Sequence, residues 1–204
     1  MLLSERKDLD WLFNIQRKNN NIFCLGKNGR NISRINYYEA ELLGKYVLSS
    51  KSDILEIGIC KGGTTTLISE YIKDSNINLY SVDITFKNIK KECYEILKKR
   101  NNVKLLNQSS NLKIDNKWGL VWIDGDHSYS GVKKDVETHF ENLIDDGYIV
   151  FHDANKKYLP PVGYSELPVV RYIEVFEREY NVKLIDSYDS LLVYQKISDK
   201  KINS

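Results

Sequence analysis

Two short segments hold most of the side chains able to do chemistry: Asp124-Gly125-Asp126-His127-Ser128-Tyr129 and His152-Asp153-Ala154. Each follows an apolar run, Leu120 to Ile123 in one case and Ile149 to Phe151 in the other, so each sets acids and an imidazole at a strand tip. Carboxylates at neighbouring tips can converge on one hard cation, and Mg²⁺ commonly takes one or two of them while keeping water or substrate oxygens. An imidazole with an ordinary pKa of ~6.5 beside that cation can accept an alcohol's proton at neutral pH. A third segment, Glu56-Ile57-Gly58-Ile59-Cys60-Lys61-Gly62-Gly63-Thr64, carries glycines that let backbone approach a ligand where a Cβ would exclude it. Asp83 closes the next apolar run, where an acid can grip two ribose hydroxyls of a nucleoside.

Plainer readings stand beside these. The glycines could simply turn a strand into a helix, and Asp83 could cap a loop. Asp124 could favour the N-terminus of the following helix, and His127 could be a helix-entry residue. His139 falls inside a predicted helix and reads as structural, while Asp135 and Glu137 read as a solvated helix face.

The elements that must position these groups alternate in type. Strands are predicted over Asp53 to Ile57, Asn78 to Val82, Val103 to Leu106, Gly119 to Ile123 and Gly147 to Phe151, the last introduced by the turn Asp145-Asp146-Gly147. Helices are predicted over Thr64 to Ile72, Lys87 to Arg100 and Gly131 to Leu143, which gives a parallel sheet covered by helices. After it come a loop from Ala154 to Pro168 holding all three prolines, a helix from Val169 to Tyr180, and two late strands paired through Ser187-Tyr188-Asp189-Ser190. A helix is expected from about residue 36 to 48, and Trp11, Leu12 and Ile15 stand at helical spacing. The chain thus divides into an N-terminal helical extension at 1–49 that could cover a substrate, a main domain at 50–197, and a polar tail at 198–204. Tyr158, Tyr164 and Pro160-Pro161 suit the long loop to cover a substrate, and Tyr37 and Tyr38 could line the same pocket.

Composition narrows the partners. A chain of 204 residues, 42% hydrophobic and 28% charged, fits one compact domain and hence one active site. The net charge is +2 and the basic residues are scattered apart from Lys98-Lys99-Arg100 and Lys200-Lys201, so a small-molecule partner is expected rather than nucleic acid. The N-terminus turns polar too soon for a secretion signal, and no apolar run reaches the ~18 residues of a membrane span. A cytoplasmic protein without a membrane partner follows as the expectation, with a homo-oligomer left open. Cys24, Cys60 and Cys93 are too widely spaced for a disulfide framework or zinc knuckle and read as reduced thiols.

Glu56-Ile57-Gly58 with Gly62-Gly63, then Asp83, then Asp124-Gly125-Asp126-His127 and His152-Asp153 resemble the class I S-adenosylmethionine-dependent methyltransferases. Within them the pattern is most similar to the branch of metal-dependent O-methyltransferases for macrolide sugars and relatives named after cephalosporin hydroxylase. The resemblance covers about residues 50 to 195. It implies a Rossmann-like three-layer α/β/α sandwich, with a mostly parallel seven-stranded sheet and an antiparallel last strand. It also implies S-adenosyl-L-methionine as cofactor, with Glu56 and Gly58 facing its methionine part, Gly62, Gly63 and Thr64 in the same loop, Asp83 on the ribose, and Gln108-Ser109 near the adenine.

The metal-dependent relatives imply a further set of roles. Asp124 would be both a cofactor-side residue and a ligand for Mg²⁺ or another divalent metal, with His127 as general base. An adjacent acidic pair supplies the remaining ligands in those relatives; here Asp153 is kept, and His152 replaces the first acid, so His152 serves as a nitrogen ligand or the metal site is weakened. Without a metal, His127 held by Asp126 or Asp153 could still act as base. The acceptor would be a hydroxyl of a small molecule, a sugar first and a phenolic, polyketide or peptide hydroxyl second. Two other classes remain in view. A nucleotide-binding Rossmann oxidoreductase would need glycine at the third position from Gly58, where Cys60 stands. A binding module would keep the cofactor without turnover.

Overall fold

The computed structural model describes residues 6–13, 15–18, 21–24, 35–155 and 168–198. The apolar runs become sheet because their side chains are buried on both faces, as strands of a helix-covered parallel sheet must be. In chain order the elements are α1 (Asp10–Phe13), β1 (Ile15–Lys18), β2 (Asn21–Cys24), α2 (Tyr37–Ser49), β3 (Asp53–Ile57), α3 (Gly63–Ile72), β4 (Leu79–Asp83), α4 (Lys91–Leu97), β5 (Val103–Asn107), β6 (Trp118–Ile123), α5 (Tyr129–His139), β7 (Leu143–Phe151), α6 (Pro168–Glu179), β8 (Val182–Tyr188) and β9 (Leu191–Lys196). The main sheet has the order β5-β4-β3-β6-β7-β9-β8. Strands β3 to β7 run parallel, and β9 is antiparallel to both its neighbours. This is the Rossmann-like seven-stranded arrangement with the last strand reversed.

Strand periodicity sorts the core into two layers. Ile54, Leu120, Trp122 and Val150 pack with Leu43, Val47, Leu67 and Ile68 from α2 and α3. Leu55, Ile57, Val121, Ile123 and Phe151 pack on the other face with Val132, Val136, Ile173 and Phe176 from α5 and α6. The order reverses between β3 and β6, so the crevice beyond their carboxyl ends is the place where such a sheet binds ligands. Helix α2 begins at a capping box: the Asn36 side chain accepts the Tyr38 and Glu39 amides, and the Glu39 carboxylate accepts the Asn36 amide.

Several boundaries differ from the sequence reading. Helix α5 stops at His139, and a 3₁₀ turn over Phe140–Asn142 leads into β7, which starts at Leu143 instead of Gly147. The Asp145-Asp146-Gly147 turn is a bulge inside that strand: Asp146 has φ +60°, and pairing jumps from Trp118–Leu143 to Leu120–Tyr148. Helix α4 begins at Lys91, not Lys87. Ile15 does not continue the helix of Trp11 and Leu12. It opens β1, which pairs antiparallel with β2 in a small sheet separate from the main one. Among the described residues no helix is long and apolar enough to cross a membrane.

Candidate functional site

A cavity of about 280 Å³ opens at the reversal point of the sheet, walled by the tips of β3, β4 and β6. Gly58 makes that wall possible. Its φ is +96°, its amide donates to Val82 O at 2.9 Å, and a Cβ there would lie 2.2 Å from the Asp124 carbonyl oxygen. Asp124 N donates in turn to Ile57 O, so the β3 and β6 tips are tied directly together. Gly62, also left-handed at φ +82°, caps α3 without a side chain. Gly63 and Thr64 are the buried first residues of that helix, whereas Gly58 and Cys60 are the loop members on the cavity wall.

Asp83 lines the cavity and also fixes the loop. Its Oδ2 accepts the amides of Ile59 at 2.9 Å and Cys60 at 3.1 Å, and its Oδ1 accepts Thr85 N at 3.0 Å. A carboxylate offers about four lone-pair positions, so one remains for a ligand hydroxyl where the sequence reading foresaw two. The capping reading of Asp83 is present in these three bonds, and the same side chain lines the cavity.

Two expected cofactor contacts are placed differently. Glu56 of β3 is fully buried beside Ser81 of β4, away from the cavity wall; its Oε2 accepts Ser81 Oγ–H at 2.6 Å and its Oε1 has no hydrogen-bond partner among the described residues. Burial pushes this carboxyl up to about 8, so it is neutral at pH 7 and holds two strands together. Ser109 turns its hydroxyl to the Asn111 amide, and Gln108 and Ser110 face the cavity. Ser110 is held by Asp135, which is buried and accepts its hydroxyl at 2.6 Å rather than facing solvent as expected; burial pushes Asp135 up to about 6. His139 is buried against Ser110 O, in the structural role read for it. Tyr37 and Tyr38 do not reach the cavity wall: Tyr37 is buried and Tyr38 packs on Tyr188. Tyr158, Tyr164, Pro160 and Pro161 lie outside the described residues.

Asp124 connects this cavity to a second group of side chains. The ligating atoms of Asp124, His127, His152 and Asp153 all lie within 4.8 Å of one another. His152 Nδ1 is 3.0 Å from Asp124 Oδ1 and 3.3 Å from Asp153 Oδ2, and His127 Nε2 is 3.3 Å from each of the same two oxygens. His152 is buried with its ring against Trp122, while His127 and Asp153 are about half exposed, so the group has a closed floor and an open side. Asp153 has φ +53°, a conformation uncommon without glycine, and the amides of Ala154 and Asn155 donate to Ser190 O just after it. Asp126 takes no part, because its carboxylate accepts the Ser128 amide and hydroxyl; of the two acids considered as holders of His127, only Asp153 does so.

Charges within the group support one another. Hydrogen bonds donated to Asp124 and Asp153 push His127 up to about 9. Burial alone would lower His152, but the same two carboxylates carry it up to about 10. Burial would raise Asp124, yet its two imidazole partners hold it below the usual carboxylate range, and they hold Asp153 well below it. With no cation bound, two imidazoliums therefore balance two carboxylates, and His127 is too basic at pH 7 to be the ready proton acceptor expected from its ordinary pKa. The Asp124 and Asp153 oxygens and the His152 nitrogen, all within 4.8 Å of one another, also form a donor set that fits a divalent cation, which would displace the His152 proton as it bound.

Residues 55–154 match the model of a methyltransferase domain. Against the curated proteins there is no match. The fold is similar to a Staphylococcus aureus structure provisionally described as a caffeoyl-CoA O-methyltransferase, at 16% identity over 80% of this chain and 85% of that one, with a TM-score of 0.62. It is also similar to S-adenosylhomocysteine-bound PaMTH1 from Podospora anserina, at 16% identity over 81% and 83% of the two chains and a TM-score of 0.59. A third is the N-methyltransferase NodS from Bradyrhizobium japonicum, at 14% identity over 84% of this chain and all of that one, with a TM-score of 0.58. The matched stretch, the reversed last strand and the glycine loop at the sheet's reversal point define a Rossmann-like methyltransferase domain. A methyltransferase domain over residues 55–154 in this fold supports an S-adenosylmethionine-dependent methyltransferase.

Proposed function

We propose that the chain transfers the methyl group of S-adenosylmethionine to a hydroxyl oxygen of a small molecule, bound on the open side of the Asp124–His127–His152–Asp153 group. The observation that carries this reading is Asp124 itself: it lines the cofactor-side cavity and is hydrogen-bonded to the His152 imidazole. A donor seated in the cavity and an acceptor seated on the histidines would therefore meet at one residue. Among the similar structures, an O-methyltransferase description supports oxygen as the acceptor, although the N-methyltransferase shares the fold.

The cavity would hold the nucleoside side of the cofactor, with the free Asp83 lone pair on a ribose hydroxyl and Gln108 and Ser110 along the base. S-adenosylmethionine bound there would supply the methyl group to the acceptor oxygen and leave as S-adenosylhomocysteine, and His127 would take the acceptor's proton. A divalent cation held by Asp124, His152 and Asp153 would lower the acceptor's pKa and fix its position. Any such cation would also draw the two carboxylates away from His127, which lowers the imidazole toward neutrality and frees it to accept a proton. A sugar hydroxyl is the preferred acceptor, and a phenol the second.

The test is methyl transfer from radiolabelled S-adenosylmethionine to a panel of sugars, phenols and amines. Labelled hydroxyl products that fall by roughly 10²-fold or more in His127→Ala would support the assignment. Transfer confined to amines, or unchanged rates in His127→Ala, would overturn it.

A further inference from the structure

We infer that this group is built for a nitrogen-preferring divalent ion, of the kind represented by Zn²⁺, Co²⁺ or Ni²⁺, and against Mg²⁺, because His152 fills one of its ligand positions. The inference deepens the proposed function and relies on it for the purpose of the ion, not for its presence.

Three observations carry it. First, His152 Nδ1 lies 3.0 Å from Asp124 Oδ1 and 3.3 Å from Asp153 Oδ2. Donors bound at ~2.0–2.2 Å around a tetrahedral ion stand roughly 3.3 Å apart, so both spacings from the nitrogen match a shared ion, and all the ligating atoms lie within 4.8 Å of one another. Second, the nitrogen cannot readily give way to water. Residue His152 is 8% exposed, its ring lies against Trp122, and its amide is hydrogen-bonded to Ile123 O, which places the ring at the strand tip. Third, the open side is where Asp153 and His127 reach solvent, leaving coordination positions there for an acceptor oxygen. Mg²⁺ seeks a near-ideal octahedron of oxygens and keeps its water, whereas imidazole suits Zn²⁺, Co²⁺ and Ni²⁺. A carboxylate at position 152 would have restored an all-oxygen set; the imidazole removes it.

The experiment strips the protein with chelator and titrates it with Co²⁺, Zn²⁺ and Mg²⁺, following calorimetric heat and the visible absorption of Co²⁺. The proton NMR spectrum of the Co²⁺ form is recorded alongside, since a ligating imidazole shows a strongly shifted exchangeable N–H. The expected result is one Co²⁺ per chain, bound about a hundredfold or more tighter than Mg²⁺, with at least one shifted imidazole proton. In His152→Asp the preference should narrow by about tenfold or more. Should that variant fail to fold, the wild-type spectrum still decides. Equal affinity for Mg²⁺ and Co²⁺, or a Co²⁺ form with no shifted imidazole proton, would overturn the inference. S-adenosylhomocysteine is titrated into the same samples. Absence of its binding beside an intact Co²⁺ preference counts against the methyltransferase assignment, and the reverse pattern counts against the metal alone.

Discussion

His152 Nδ1 stands 3.0 Å from Asp124 Oδ1, although the two residues belong to different strands. The register of β6 on β7 brings them together: Trp122 pairs with Val150, Ile123 with Phe151, and His152 N reaches Ile123 O at 3.1 Å. A slip of one residue would turn each side chain to the opposite face and dissolve the contact.

The ion pairs give the metal-free protein a distinctive pH dependence. His127 and His152 have folded pKa values of about 9 and about 10, above the ordinary value of ~6.5. Their contribution is complete below the unfolded value and is lost as pH rises through the folded ones. Thermal unfolding of chelator-treated protein should therefore weaken from about pH 7 to pH 10, and His152→Gln should flatten that fall. An unchanged slope in the variant would remove His152 from the account.

Glu56 is an acid with the same sign in a lower window. It titrates at about 8 when folded and near the ordinary carboxylate value when unfolded, so stability is lost as pH rises from ~4.5 through 8. Glu56→Gln should match wild type at pH 4, gain on it steadily to pH 8, and level off above. Glu56→Ala should instead lose about 2–3 kcal/mol by orphaning the Ser81 hydroxyl and opening a void, as read by urea unfolding.

Gly58→Ala should be among the most damaging small substitutions. The new Cβ would meet the Asp124 carbonyl and carbon in a left-handed backbone. A loss of about 3 kcal/mol or more, with impaired S-adenosylhomocysteine binding, is expected from denaturant titration and calorimetry. A variant as stable as wild type would mean that the β3 and β6 tips are not clamped as described.

Much of this was readable from residue types. The strands were legible because they are continuous apolar runs, buried on both faces, and the acid–histidine segments were legible because they follow such runs directly. Side-chain direction was not. Glu56 is buried because strand alternation puts it on the same face as Ile54, beside Ser81 of β4, while the motif suggested a cofactor contact. Gln108 and Ser110 face the cavity and Ser109 does not, a choice the sequence leaves open among three polar neighbours. Asp135 resembled a surface residue until the Ser110 loop covered it. The basicity of His127 depends on two carboxylates from different strands, which no local window contains.

The most direct test of the central claim is calorimetric titration of S-adenosylhomocysteine into wild type and Asp83→Ala. Asp83 lines the cavity and holds the Ile59 and Cys60 amides, so its loss should weaken binding by about tenfold or more while the wild type binds in the micromolar range. No binding by the wild type, or equal binding by both proteins, would contradict the cofactor site described here.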